Sequence, residues 1–463
     1  MRGTRSTLFM LVVFLGLAAY VYFIEMERRP ASETPPNEQL FELAADDIET
    51  LTVRTGSDET NLRRTADDEW ELTSPIEEAA DAATVSSITS EVSTLEIRRV
   101  VQEGPVDLEP FGLSSPVVEV SFTIADDETD HRLLIGETSP TGTDRYAKVA
   151  DEDRVILVAA STESALNKST FDLRDKTILD VETAGVDRLE IDQAGSVLQF
   201  SKSDNEWRLV QPWNVRADFS TVEGLVGRIA SGRMQSVVTE DINAEEEIAA
   251  TEDDNRAYGL TAAALTATLG AGSAAATLVV GSQSPRGEHY AQDTSRSIVF
   301  TIDRSLVTDL GRDALEYRRK DLFSFRSFNA TRLEIEQPET TAVFEKTADT
   351  AEDPETTWTQ TQPEAGDIER SDMDDLLYKI SNLRADSFVE SRTAVAISDA
   401  DIIATVRVTF GDKETEESVV FWRNGDDTYA VNGDEPGAGV VESGSVDRAF
   451  DALAQTQPKA PEE

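Results

Sequence analysis

The sequence predicts an α+β protein: an N-terminal transmembrane helix followed by three tandem repeated domains, each an antiparallel β-sheet with helices packed on one face. Three observations lead to this prediction. A tryptophan–proline–aspartate pattern recurs along the chain, the hydrophobic period changes within each copy, and the N-terminal segment carries a long uncharged run. A repeat this long indicates duplicated domains and excludes a solenoid of short units.

The clearest repeated pattern is a tryptophan segment that ends in proline. Trp70 to Pro75 is followed by Asp81, and Trp207 to Pro212 is followed by Asp218 at the same distance. A third copy runs from Trp358 to Pro363. Further landmarks keep their order in two or three copies: Phe111-Gly112-Leu113 with Tyr258-Gly259-Leu260, Ile135-Gly136 with Val280-Gly281, Tyr146-Ala147 with Tyr290-Ala291 and Tyr429-Ala430, and Leu173 to Lys176 with Tyr317 to Lys320.

These repeats set the predicted domain boundaries. The third copy is degenerate, because it lacks a clear aromatic-Gly-Leu segment and ends early. Each unit has the usual size of a single domain. The predicted segments are a signal-anchor transmembrane helix at 1–29, a linker at 30–46, repeat domains at 47–180, 181–325 and 326–455, and a disordered tail at 456–463.

Within each unit the hydrophobic period changes from that of a strand to that of a helix and back. Alternating apolar residues such as Leu51 and Val53 predict antiparallel strands, with the tryptophan strand third. Spacings of three and four then predict an amphipathic helix, and hairpins and a short closing helix follow, at about 161–168, 303–311 and 445–454. The residues expected to cap the amphipathic helices are Asp81, Asp218 and Asp372.

The N-terminal segment from Ser6 to Ile24 carries no charge. As a helix it is ~28 Å long, which just spans the hydrocarbon core of a bilayer. Arg2 and Arg5 precede it, which favours an N-terminus inside and the bulk of the chain outside the cytoplasmic (inner) membrane, in the periplasm. A cleaved signal peptide is the alternative, but Tyr20 to Phe23 offers no small-x-small cleavage site.

Composition excludes several classes of function. The chain has no cysteine, which removes disulfides, thiol catalysis, thiolate metal sites and a lipoprotein anchor. The net charge of −48 repels nucleic acid and anionic headgroups, so no nucleic-acid partner is expected. The acidic surface fits a basic partner or divalent cations, or else general solubility in a salty exterior.

No residue set predicts catalysis, cofactor binding or a metal site. The two histidines, His131 and His289, lie in different units and are expected on surface strands. The repeated tryptophans are expected to pack under the helix. Trp213, a loop residue that is not repeated, is a candidate for contact with a ligand or partner. Three acidic clusters lack calcium-loop spacing: Asp67-Asp68-Glu69, Glu245-Glu246-Glu247 and Asp253-Asp254. Two segments match the glycosylation pattern: Asn167-Lys168-Ser169 and Asn329-Ala330-Thr331.

The chain resembles the bacterial domain of unknown function numbered forty-three forty. The features that carry the resemblance are the anchor, the tryptophan–proline–aspartate pattern, Phe111 to Pro116, the Ile-Gly segment and the Tyr-Ala strand. The resemblance covers nearly all of the chain beyond residue 46. Genes of that family often neighbour an ABC-type export permease, its ATPase and a gliding-motility-type auxiliary protein. The resemblance therefore implies an extracytoplasmic accessory of a membrane transport system, and it implies no catalytic residues.

We therefore expect a non-enzymatic, membrane-anchored binding or scaffold protein whose partner is an ABC-type permease or another protein of the envelope. The first alternative is a structural or adhesive surface protein in which the repeats act as spacers. The second alternative is an envelope hydrolase that acts through a pair of carboxylates.

Overall fold

The computed structural model describes residues 38–104, 107–125, 127–240, 258–261, 263–347, 357–395, 398–433 and 435–458. The predicted membrane segment 6–24 lies outside these ranges. Within them, none of the helices combines the length and the apolar character that crossing a bilayer requires.

The chain divides into two compact units, and the boundary falls between Lys176 and Thr177. The first unit contains one nine-stranded antiparallel sheet, and the second contains two. The protein is therefore mostly antiparallel β-sheet with few helices. The second and third repeats, predicted as separate domains, belong to one compact unit.

The first unit is built from eleven strands and three helices among its described residues. Its sheet order is β5-β4-β3-β2-β8-β9-β10-β11-β7, and β1 pairs with β6 apart from it. The strands are β1 Glu38–Gln39, β2 Ile48–Thr55, β3 Asp58–Arg64, β4 Trp70–Ser74, β5 Glu78–Ala79, β6 Glu96–Ile97, β7 Arg99–Glu103, β8 Val118–Ile124, β9 Asp127–Thr138, β10 Asp144–Val149 and β11 Arg154–Ala159; the helices are α1 Ala82–Thr94, α2 Ala160–Leu166 and α3 Thr170–Leu173.

The second repeat has the same strand order as the first, β15-β14-β13-β12-β17-β18-β19-β20-β16. Its elements are β12 Arg188–Gln193, β13 Ser196–Ser203, β14 Glu206–Gln211, β15 Val215–Arg216, α4 Phe219–Ala230, β16 Ser236–Thr239, β17 Leu265–Ala271, β18 Ala274–Gln283, β19 His289–Asp293, β20 Val299–Ile302 and α5 Arg304–Leu310.

The third repeat repeats the order once more, β24-β23-β22-β21-β26-β27-β28-β29-β25. Its elements are β21 Ala330–Gln337, β22 Thr340–Lys346, β23 Trp358–Gln362, β24 Gly366–Ile368, α6 Arg370–Ser381, β25 Ala385–Val389, β26 Ile402–Phe410, β27 Thr415–Asn424, β28 Asp427–Asn432, β29 Ala438–Val441 and α7 Ser443–Gln455. Identical strand order in three sheets is the structural counterpart of the sequence repeat.

Each amphipathic helix covers one face of its sheet. In α1 the residues Val85, Ile88 and Val92 are buried in the same core as the strand residues Leu51 and Val53. The alternating residues of the strand and the three-and-four spacing of the helix therefore meet in one apolar layer. Equivalent helix residues are buried in the other repeats: Val222, Leu225, Val226 and Ile229; Met373, Leu376, Leu377 and Ile380.

Two of the three predicted helix caps are correct. The Asp81 carboxylate accepts a hydrogen bond from the Thr84 backbone N–H at 2.9 Å, and Asp218 accepts one from Thr221 at 2.8 Å. The prediction for Asp372 is wrong, because α6 begins after Glu369 and Asp372 lies inside its first turn. The first buried residue of this helix is Met373, not Leu376, so the cap position falls on Glu369.

Each repeat begins earlier than the sequence predicted. Residues 38–46, predicted as linker, contain Leu40 and Phe41, which are buried in the core of the first unit. The sequence showed no period here because the segment is short. In every repeat the equivalent residue donates a backbone hydrogen bond just past the amphipathic helix: Leu40 to the Leu95 carbonyl (2.7 Å), Ile178 to Gly232 (3.2 Å) and Leu322 to Leu383 (3.1 Å).

The predicted disordered tail also begins later than expected. The Thr456 hydroxyl donates to the Ala452 carbonyl at 2.9 Å, and Pro458 forms a β-bridge with Ile368. Residues 456–458 are thus part of the third repeat, and the remainder of the tail lies outside the described residues.

The aromatic-Gly-Leu and Ile-Gly motifs meet in one packed turn. The Phe111 ring lies 4.9 Å from the ring of Tyr146, and a side chain at Gly136 would collide with the Phe111 carbonyl oxygen. Tyr258, Tyr290 and Gly281 repeat this arrangement in the second repeat. These glycines are therefore required for close packing.

The third repeat replaces this turn. The strand register aligns Trp422 with Gly136 and Gly281, because Phe421 pairs with Ala430 as Ile135 pairs with Ala147. Trp422 forms a small apolar cluster with Tyr429, and the Arg392 guanidinium lies 5.3 Å from its ring centroid. A large ring thus occupies the position where the other repeats need a glycine.

Replacing Gly281 by Ala should destabilise the second unit by about 1–3 kcal/mol, since the new methyl group overlaps the Tyr258 carbonyl. Gly224→Ala in α4 is the matched control. No atom lies within 4 Å of a methyl group there, and alanine should stabilise the helix by about 0.5–1 kcal/mol. Urea unfolding measures both changes, and equal effects of the two variants would contradict this role for Gly281.

Replacing Asp218 by Ala should lower the free energy of unfolding by about 1 kcal/mol, because the Thr221 N–H loses its acceptor. Burial opposes ionisation of Asp218, but hydrogen bonds from Thr221 and Ser220 outweigh it and lower the pKa of the carboxyl. Its contribution is therefore present above the unfolded-state pKa of about 3.9 and is lost as the pH falls through the lower folded-state pKa.

Asp218→Asn keeps an acceptor oxygen but has no titrating group. The stability difference between the wild-type protein and this variant should therefore shrink in acid. Urea unfolding at neutral and acidic pH tests this, and a difference independent of pH would exclude the cap as its source.

Candidate binding site

A cleft of about 350 Å³ lies beside the repeated tryptophan of the second repeat. It is formed where β14, β15 and the start of α4 meet the segment that leads into the third repeat. Its lining includes Trp207, Arg216, Phe219, Arg319 and Asp321. A cleft of about 520 Å³ lies beside Trp70 in the first unit, but of its lining residues only Glu69, Trp70 and Ala79 hold positions that also line the cleft of the second repeat.

A lysine lies close to two aromatic rings that line the cleft of the second repeat. The Lys202 ammonium lies 5.7 Å from the Trp207 ring centroid and 5.4 Å from that of Phe219. Glu223 on α4 accepts hydrogen bonds from Lys202 at 2.5 Å and from the Trp207 indole N–H at 2.8 Å. The tryptophan is therefore fixed by packing and by a hydrogen bond, while Phe219 remains 44% exposed.

Two arginines and two acids form ion pairs at this cleft. Arg319 lies 3.7 Å from Asp321 and 3.9 Å from Glu206, and Arg384 lies 3.1 Å from Asp321. Alternating charges of this kind are suited to binding a polar surface with its own charge pattern.

Two carboxyl groups near the start of α4, those of Asp218 and Glu223, have a lowered pKa. Burial raises the pKa of Glu223, but hydrogen bonds from Lys202 and Trp207 outweigh it, so the pKa is lowered overall. The Ser220 hydroxyl donates to Asp218 at 3.0 Å, yet the described lining residues include no histidine that could accept a proton from the serine. The cleft presents charged groups to solvent, and its described lining includes no histidine base for nucleophilic catalysis by this serine.

A buried ion cluster joins the second repeat to the third. Arg318, which is 3% exposed, donates to Glu435 at 3.0 Å and to the Pro436 carbonyl at 2.9 Å. Its guanidinium also lies 4.2 Å from the ring centroid of Phe388. Burial lowers the pKa of Arg318 and Glu435 acts against that shift. A buried guanidinium with these contacts is stable only while its carboxylate remains.

Arg216 completes this cluster from β15. Its Nε lies 3.1 Å from the second oxygen of Glu435, and its Nη1 lies 3.7 Å from Glu417 on β27. It also donates to the Leu322 carbonyl at 3.3 Å. Glu435 therefore bridges two arginines of the second repeat, which places one wall of the cleft against the third repeat.

The arginine of the repeated motif near the end of each unit has a structural role. In the first unit Arg174 is 1% exposed and its Nε donates to Glu78 at 3.1 Å. Arg174 and Arg318 form the same β-bridge with the strand before the helix, to Ala80 and Ala217 respectively. The repeated arginine thus holds the entry to the helix.

The two histidines lie on strands, as expected, but both are half-buried where exposed positions were expected. His131 on β9 stacks on Phe122 at 5.1 Å, and His289 on β19 has its Nδ1 3.3 Å from the Gly281 carbonyl. The structure does not bring either of them into the cleft described above.

The acidic clusters considered in the sequence do not assemble a site in the described residues. Asp67, Asp68 and Glu69 form a turn between β3 and β4, where Asp68 pairs with Arg64 at 2.5 Å. Across the described ranges no group of three potential ligands is placed to hold a metal ion. Glu245 to Glu247, Asp253 and Asp254 lie outside those ranges.

The remaining candidates lie in loops or at helix ends. Trp213 is half-buried in the turn between β14 and β15. Asn167 ends α2 and donates to Glu163 at 3.0 Å, and Asn329 accepts from the Arg326 backbone N–H at 2.9 Å. Neither asparagine lines the cleft of the second repeat.

Sequence reasoning missed Lys202, Phe219, Arg216 and Glu435 as parts of a site. The missing signal was the difference between aligned repeats. The position of Lys202 is basic in all three repeats, with Arg64 in the first and Lys346 in the third. The position of Phe219 is occupied by Ala82 in the first repeat and by Arg370 in the third. A large apolar residue at a position where the other copies have small or charged ones is detectable by alignment alone.

Comparison with known proteins places the repeats in one family. The family model described as Domain of unknown function (DUF4340) matches residues 70–208 and again 207–402, which confirms the resemblance noted from the motifs. No curated protein matches the sequence significantly. A solved DnaN sliding clamp (DNA polymerase III subunit beta) from Pseudomonas aeruginosa, bound to griselimycin, aligns at 11% identity over 85% of this chain and 92% of its own, with a TM-score of 0.15. A score of 0.15 establishes no shared fold.

Replacing Glu435 by Ala should lower the free energy of unfolding of the second unit by about 3–5 kcal/mol, because Arg318 is left buried without its carboxylate. Asp447→Ala removes an exposed partner of Arg423 at 2.5 Å and is the control, expected to cost about 0.5 kcal/mol or less. Urea unfolding provides the comparison. A Glu435 variant as stable as the control would show that the cluster does not hold the repeats together.

Proposed function

We propose, from the premise that this chain belongs to the DUF4340 family, that it is a non-enzymatic, single-pass membrane-anchored binding or scaffold protein. The bulk of the chain would lie outside the cytoplasmic membrane and contact an ABC-type permease or another envelope component. This role follows from what the repeated residues do and from the charge of the surface.

The observation that carries this proposal is the use of the repeated polar residues within the fold. Asp81 and Asp218 cap helices, Arg174 pairs with Glu78, and Arg318 pairs with Glu435. The residues that the copies share are thereby committed to stability. Recognition is left to surfaces at which the copies differ, as expected when a repeated scaffold presents distinct contact surfaces.

The carboxylate hydrolase alternative has less support. An acid catalyst in glycoside hydrolysis needs a carboxyl group whose pKa is raised. In the described part of the chain, the carboxyl groups with a clear shift have a lowered pKa, because hydroxyl, backbone or cationic donors stabilise the ionised form: Asp127, Asp172, Asp218, Glu223, Asp303, Asp401 and Glu442.

Membrane attachment is supported by the sequence of residues 6–24. The uncharged run is long enough to span the bilayer, and the preceding arginines favour an N-terminus inside. The link to a transport system is supported by the gene neighbourhoods that the family resemblance implies.

Co-purification of the full-length chain in mild detergent tests the proposal. We expect a permease subunit or one defined envelope protein to be recovered in a fixed ratio to the chain. Recovery of the chain alone under conditions that preserve known membrane complexes would contradict a scaffold role and favour the spacer alternative.

Variants that leave the core intact refine this test. Val100→Ser and Val117→Ser alter exposed apolar residues of the first unit and serve as controls for nonspecific hydrophobic capture. If these controls and every other surface variant reduce recovery of the partner equally, its co-purification is a detergent artefact. That result would count against the proposal.

A further inference from the structure

The third repeat exposes two aromatic side chains that the other repeats lack. Phe328 is 78% exposed and Tyr378 is 63% exposed, more than any other large apolar side chain in the described residues. The aligned residues in the first and second repeats are Asp46 and Ala184 for Phe328, and Ser90 and Gly227 for Tyr378. Because the same fold forms with small or polar residues there, stability does not require the rings.

The two rings lie on elements that pack against each other. Phe328 is the middle residue of a 3-10 turn, Ser327–Asn329, and this turn contacts α6, which carries Tyr378. Exposed aromatic residues on two elements that contact each other present apolar surface of the kind that marks a protein contact.

Acidic side chains flank this patch on α6. Asp374 and Asp375 lie four and three positions before Tyr378, so they face the same side of the helix. Asp374 pairs with Arg370 at 3.7 Å and Asp375 with Lys379 at 2.6 Å. Both pairs are exposed, so an incoming cation could replace either partner at little cost in free energy.

We propose that this third-repeat patch, made of Phe328, Tyr378, Asp374 and Asp375, docks a segment of a protein partner that carries lysine or arginine beside apolar side chains. The inference rests on the proposed function, and it names the repeat and the partner chemistry. The net charge of −48 selects this occupant, because it repels a second copy of the chain and an anionic bilayer surface while attracting a basic partner.

Photo-crosslinking in the full-length, membrane-borne chain tests the patch. A benzophenone-bearing phenylalanine analogue is placed at position 328 or 378, where it replaces an exposed aromatic side chain of similar shape. We expect crosslinks from both positions to map to one segment of one protein, rich in lysine or arginine and apolar residues.

Charge-neutralising variants separate the patch from general acidity. The double substitution Asp374→Asn/Asp375→Asn should reduce the crosslinking yield by about tenfold. The control Asp67→Asn/Asp68→Asn removes the same charge from an exposed turn of the first unit and should leave the yield unchanged. Equal loss with both pairs would overturn the patch as a specific docking surface.

The same experiment distinguishes other occupants. Crosslinks to a second copy of the chain, to lipid, or to an acidic segment would each overturn the proposal. A crosslink from position 219 in the cleft, with none from 328 or 378, would move the contact to the second repeat. If co-purification succeeds and the patch gives no crosslink, this inference fails while the proposed function stands.

Discussion

The fold of the second unit depends on one carboxylate that serves two arginines. Glu435 lies in the turn after β28 of the third repeat and accepts from Arg318 and Arg216 of the second. Its attraction for both is strengthened because the three side chains are largely buried, and the penalty for losing it is large for the same reason. The second and third repeats are therefore coupled by charge as well as by apolar burial. Removing either repeat would leave buried charges of the other repeat exposed or unpaired. A deletion experiment on this chain should therefore remove or keep the second and third repeats together.

The residues at the position of Arg318 make different contacts in the first and third repeats. In the first unit Arg174 pairs within its own repeat with Glu78. The first repeat also has Glu152 at the position of Glu435, and there Arg154, two residues on, supplies the cation at 2.5 Å. At the far end Pro458 holds the position of Arg318 by bridging to Ile368 and brings no charge.

The sequence predicted the parts of the fold that depend on local period. Alternation located the strands, three-and-four spacing located the helices, and the aspartate four residues before the first residue of the helix stripe located the caps at Asp81 and Asp218. It failed where the deciding interaction is distant or the segment is short. Leu40 and Phe41 form no period of their own, and their burial depends on a hydrogen bond to the end of α1. Arg216 and Glu435 are far apart in the chain, so no local pattern could pair them. The cap in the third repeat was misplaced because the helix stripe was counted from Leu376, although Met373 already faces the core.

Internal duplication offers a way to separate residues that serve stability from residues that serve recognition, because the three copies can be compared within one chain. A residue that serves the fold should recur in every copy that keeps the same local structure, and Trp70, Trp207 and Trp358 do so on aligned, buried strand positions. Where the local structure changes, as at Trp422, the substitution is matched by a new apolar cluster, so it too is explained by packing. Phe328 and Tyr378 fit neither case, because the local structure is unchanged and their rings remain in water. Exposed rings lower solubility and add nothing to the core, so their presence in a single repeat is best explained by contact with another molecule.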